Sequence, residues 1–143
     1  MSDFTRDKDH WLRRLSPGEW ISAALGELAR AEKAWIAGNA RAGAAGLKRA
    51  AGMALNAALI VEPDDGWGRT YVEHLEALAR DARVPEAVRD ACRTVLDAGP
   101  PTADVVILRT PRGHAQAVEA ARDVVAHAWT IAKRHEGHEP SAG

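Results

Sequence analysis

The sequence predicts an all-α protein, an antiparallel bundle of four to five helices with an irregular loop before the last long helix. Three observations carry that expectation. Thirty of the 143 residues are alanine, the strongest helix former and one small enough to let helix backbones approach. Apolar residues recur at three- and four-residue spacing along most of the chain. Capping and stop signals cut that pattern into segments of helical length. At about 100–200 residues per domain the chain makes one domain. A domain of this size buries roughly 68–70% of its unfolded surface, enough to fold without a metal or disulfide.

Residues 1–15 read as a polar segment from which Trp11, Leu12 and Leu15 can dock on the body. Ser16-Pro17-Gly18-Glu19 joins an N-cap serine, a first-turn proline and a glutamate three residues past the cap, a capping box. Trp20, Ile21, Ala24, Leu25, Leu28, Ala31 and Trp35 then follow at helical spacing. Gly38-Asn39 supplies a stop and a new N-cap. The second helix is expected to run to about Ile60, with Leu47, Ala50, Ala51, Ala54, Leu55, Ala58 and Leu59 on one face. Gly43, Gly46 and Gly52 lower its intrinsic helicity but permit tight contact with a neighbour.

The run 62–68 (Glu-Pro-Asp-Asp-Gly-Trp-Gly) reads as a turn-rich connector. Thr70 caps a third helix with Tyr71, Val72, Leu75, Leu78 and Ala82 on its stripe. Pro85 opens a shorter fourth helix with Val88, Ala91, Cys92, Val95 and Leu96 inward, stopped by Gly99-Pro100-Pro101. Val105-Val-Ile-Leu108 is expected in a loop that packs on the bundle. The fifth helix is expected from near Gly113 to about Arg134, so that residues 16–135 form the bundle and 136–143 a disordered tail. Val118, Ala121, Val124, Val125 and Ala128 give that helix more apolar width than one bundle groove needs, which points to an isologous homodimer.

Charge and composition narrow the function. The formal net charge is −1, so no global basic field draws the protein to nucleic acid or membrane. One cysteine, Cys92, excludes an internal disulfide framework. The polar N-terminus lacks signal-peptide character, and no apolar run approaches the ~18 residues of a membrane span. A soluble, cytoplasmic protein with no membrane partner is expected. No glutamate precedes a histidine by three residues, no glycine-rich phosphate loop follows a strand, and no cysteine pair could hold zinc. His135-Glu-Gly-His138 lacks the spacing of a metalloprotease helix. No metal and no cofactor are expected.

The pattern that carries chemistry is an arginine followed, after four residues, by a histidine. Three cases occur, Arg69…His74, Arg109…His114 and Arg122…His127, against about 0.6 expected by chance. A neutral histidine can take the proton of a ribose 2′-hydroxyl while a guanidinium stabilises charge on the phosphate. On a helix, five residues turn about 500° and rise ~7.5 Å, so Arg122 and His127 point about 140° apart. They fit one groove when two copies meet along this helix, each lending one residue. Asp123 lies four residues before His127 and can orient its ring. The plainer alternative is a surface Asp–His pair with Arg122 on Glu119. Arg109, Arg112 and His114 form a second candidate, a phosphate- or nucleotide-binding cluster beside a helix N-terminus, or else a solvated basic loop. Arg69 and His74 are expected to face solvent. The tryptophans read as core or interface anchors, with Trp67, between glycines, the unusual one.

The succession of these features resembles the HEPN domain family, small helical-bundle proteins, over roughly residues 16–135. Residues 37–59 are similar to the family's alanine-rich second helix, and Arg69-Thr-Tyr-Val-Glu-His-Leu-Glu-Ala-Leu78 to its third-helix opening. Ile107-Leu-Arg-Thr-Pro111 looks like the arginine–aromatic–proline loop before the last helix, with Thr110 at the aromatic position. Arg122-Asp-Val-Val-Ala-His127 matches the Arg-x4–6-His motif. The resemblance implies a toxin–antitoxin-type protein, a metal-independent ribonuclease with Arg122 and His127 catalytic across a homodimer. Its alternative implication is a non-catalytic module that binds a nucleotide or a partner minimal nucleotidyltransferase. A helical interaction scaffold is the third reading. Trp129 stands where the toxin form often has a tyrosine open to nucleotidylation.

Overall fold

The computed structural model describes residue 12, residues 14–98 and residues 111–136, with side chains of the last helix described over 115–134. The elements are α1 (Pro17–Ile36), α2 (Ala40–Val61), a short 3-10 turn (Asp65–Trp67), α3 (Tyr71–Arg80), α4 (Glu86–Asp97) and α5 (Pro111–Glu136). They form an all-α helical bundle, with no strand among the described residues. The Val105–Leu108 run and the tail after 136 lie outside the described residues.

Local chemistry sets the helix starts. The Glu19 amide donates to Ser16 Oγ at 3.2 Å and the Ser16 amide to Glu19 Oε1 at 2.8 Å, the reciprocal box expected there. Thr70 and Glu73 repeat it at α3, where the Arg69 amide also donates to Glu73 Oε1 at 2.9 Å. Between α1 and α2, Gly38 takes φ +90°, a conformation that favours glycine. Asn39 Oδ1 then accepts from the Ala42 amide at 3.1 Å. α3 ends at Arg80, short of Ala82, because Asp81 turns to extended backbone.

α2 is the central helix, packed against α1, α3, α4 and α5 and buried over most of its circumference. Against the expectation of no such run, it is long and apolar enough to cross a membrane by length and composition alone, but most of it is covered by its neighbours. Its glycines explain how close those neighbours come. A Cβ on Gly43 would sit 2.8 Å from the Trp35 ring, and one on Gly46 2.7 Å from Ala31 Cβ. Gly52 likewise faces Tyr71 with no room for a side chain.

Leu12 docks on the body as expected: it is buried, and its carbonyl accepts from Trp20 Nε1–H at 2.8 Å. Two other expectations change. Leu25 and Val72, placed on inward stripes, are 51% and 41% exposed. Val118, Ala121, Val124, Val125 and Ala128 are all buried within the single chain. The apolar width of α5 is therefore used internally, and those residues give no argument for a dimer.

Candidate functional site

The candidate pair separates as helical geometry requires. Arg122 lies on the α1 side of α5, its Nη2 3.4 Å from Glu32 Oε1 rather than on Glu119. It borders an apolar groove of about 370 Å³ formed by Ile21, Leu25, Val125, Ala126 and Trp129. Trp129 is 43% exposed there, with the Lys133 ammonium 5.2 Å from its ring centre.

His127 opens on a different cleft, also of about 370 Å³, between α5 and the connectors on either side of α3. Glu62, Pro63, Asp64, Trp67, Asp81, Arg83, Val84, Ile131 and Arg134 line it with His127. The ring is half-buried. Burial lowers its pKa below the usual 6.5, and the positive charge of Arg134 lowers it further, against an opposing pull from Glu62. His127 is thereby held neutral at neutral pH, the state of a proton acceptor.

Asp123 does not hold that ring. It borders the groove between α4 and α5 with Asp90, Thr94 and Glu119, and no hydrogen bond or ion pair joins it to His127 among the described residues. Two arginines line this cleft with His127: Arg83, and Arg134, seven residues later on α5 and about 20° away around the helix. That i, i+7 spacing was the available signal.

The two arginines of the cleft are held differently. Arg83 grips Asp81 through Nε at 3.0 Å and Nη2 at 2.7 Å, while its own amide donates to the same carboxylate at 2.9 Å. These bonds hold the Asp81 carboxyl down at about 2. Asp64 Oδ2 lies 3.8 Å from the same guanidinium. Arg134 meets Glu62 at 3.6 Å with both side chains largely exposed, a pairing that is weak in water. Arg83 is thus fixed in the wall of the cleft.

Trp67 is presented to this cleft by a buried residue. His74, expected in solvent, is 1% exposed. It falls with Tyr71, Leu75 and Leu78 on the inward stripe of α3, a spacing visible in the sequence. Its Nδ1 lies 2.8 Å from the Trp67 carbonyl and its Nε2 3.1 Å from Asn56 of α2. The Arg109 position and the side chains of Arg112, His114 and His135 lie outside the described residues. No metal-ligating cluster of His, Cys, Asp and Glu occurs among the described residues. Comparison with protein-family models, with curated proteins and with solved structures finds no match to this chain.

Proposed function

We propose that this chain is a HEPN-type protein of the toxin–antitoxin kind that acts on RNA as a metal-independent endoribonuclease, with His127 as general base. The observation that supports this is a half-buried imidazole held neutral in an open cleft. His127 would take the 2′-hydroxyl proton as that oxygen attacks the adjacent phosphorus. The P–O5′ bond breaks, leaving a 2′,3′-cyclic phosphate and a 5′-hydroxyl after the leaving oxygen takes a proton from water. Arg134, whose charge acts on the His127 ring, would supply the guanidinium within one chain. Arg122 can join only from a second copy, where the α1–α5 groove of one chain meets the His127 cleft of the other.

The direct test is cleavage of a single-stranded RNA in the presence of a chelator. General-base catalysis is typically worth ~10²–10⁴-fold, so His127→Ala should remove visible cleavage and leave the fold intact. Arg134→Ala and Arg122→Ala then separate a site within one chain from one shared between two. Cleavage that survives His127→Ala would sink the assignment.

A second reading, nucleotide binding without cleavage, is favoured by Trp67 on the cleft wall and by a volume within the usual small-ligand range. An intact RNA with saturable nucleotide binding at His127 would select it. Partnership with a minimal nucleotidyltransferase belongs to this reading.

A further inference from the structure

Asn56 and His74 are the buried polar side chains among the described residues, and they meet each other inside a core of Leu47, Leu55, Leu75 and Leu78. Replacing both by apolar groups of the same shape would cost such a core little. Their use must therefore lie in what they reach. The Trp67 carbonyl can only accept, so the His74 nitrogen 2.8 Å away, Nδ1, carries the proton. In the neutral ring Nε2 is then an acceptor and requires a donor. The Asn56 amide faces it with Oδ1 while its Nδ2 has no partner. Turning the amide end for end places Nδ2 where Nε2 needs a donor.

The segment so held is the short 3-10 turn Asp65–Trp67, which ends at Gly68 with φ +74°, a backbone conformation that favours glycine. The turn has bonds of its own: the Trp67 amide donates to the Asp64 carbonyl at 3.2 Å and the Gly68 amide to the Asp65 carbonyl at 3.3 Å. The Gly66 amide donates to Asp64 Oδ1 at 2.9 Å, while Glu73 accepts from the Arg69 and Thr70 amides. The Trp67 carbonyl is tied into the core by His74.

We infer that His74, oriented by Asn56, is a positioning residue for the His127 cleft: its Nδ1–H fixes the Trp67 backbone and so sets the indole as a wall for a planar base. The inference rests on reading that cleft as a site for a nucleotide or an RNA residue. His74 touches no ligand itself and acts through Trp67.

The test compares His74→Asn with His74→Gln in the full chain. Asparagine keeps a donor where Nδ1 stands, and glutamine keeps a polar group where Nε2 stands. The readouts are the Trp67 indole resonance, identified by its loss in Trp67→Phe, and affinity for adenosine 5′-monophosphate. His74→Gln is expected to shift the resonance and weaken binding about tenfold, the scale of one lost hydrogen bond. His74→Asn is expected to keep both near wild type. Equal effects of the two variants, or an unmoved Trp67 resonance in His74→Gln, overturn the inference. Should neither variant fold, the wild-type ring nitrogen shifts decide, since a His74 protonated at Nε2 alone contradicts it. If wild-type protein binds no adenosine 5′-monophosphate, the nucleotide reading fails while the Trp67 resonance still judges the positioning role.

Discussion

Arg122 reaches Glu32 of α1 across 3.4 Å, on a different face of α5 from the cleft that holds His127. One helix thus offers its two candidate residues to two surfaces. Any joint action of the pair has to be intermolecular, and Arg134 is a cationic neighbour of His127 within the chain.

His127 is expected to titrate below 6.5. Arg134→Ala should raise its pKa and Glu62→Gln should lower it further, both read from imidazole resonances against pH. The unfolded chain takes up this proton near 6.5 while the folded chain resists it. The associated stability is therefore complete above 6.5 and is lost as pH falls from there through the lower folded value. Across that window the denaturant midpoint of His127→Gln should change less than that of wild type. Identical slopes would mean that the ring is not held neutral by the fold.

The α1–α5 groove should mediate self-association if Arg122 works in trans. Sedimentation at tens of micromolar is expected to show a dimer, and Trp129→Asp or Leu25→Asp should yield a folded monomer. Both positions are substantially exposed in the single chain, so the charge costs the isolated bundle little. A wild-type monomer at that concentration would leave His127 with Arg134 alone and favour the nucleotide-binding reading.

Gly52→Ala sets two opposed effects against each other. Alanine gains roughly 1 kcal/mol in helix propensity, while overpacking a tight core costs about 1–3 kcal/mol. The new Cβ would overlap Cβ and Cγ of Tyr71, atoms close to the α3 backbone that cannot swing aside. Net destabilisation is expected, measured as a lower denaturant midpoint. Gly18→Ala, where a Cβ meets nothing within 4 Å, is the control and should stabilise or be neutral.

Cys92 is fully buried, and burial pushes its thiol up to about 12. The thiolate is the reactive form, so a thiol reagent at pH 8 should react only as fast as the bundle opens. Addition of denaturant should release one fast-reacting thiol per chain. Fast labelling of the native protein would show that α4 opens far more readily than its packing implies.

The starts of α1, α2 and α3 were legible because capping is a conversation within four residues: Ser16 with Glu19, Asn39 with Ala42, Thr70 with Glu73. The close approach of α2 was legible too, since Gly43, Gly46 and Gly52 have no better reason to interrupt an alanine-rich helix. The i, i+5 spacing determined that Arg122 and His127 diverge, because helical twist is a property of the backbone alone. Only the tertiary structure decided which neighbour each of them meets, for Glu32 arrives from α1 and Glu62 from the connector after α2. It also decided that His74 lies in the core, where a distant carbonyl and amide meet its ring and offset the cost of burying it. Periodicity reports which residues share a face, but a buried polar group is acceptable only where long-range partners are brought to it.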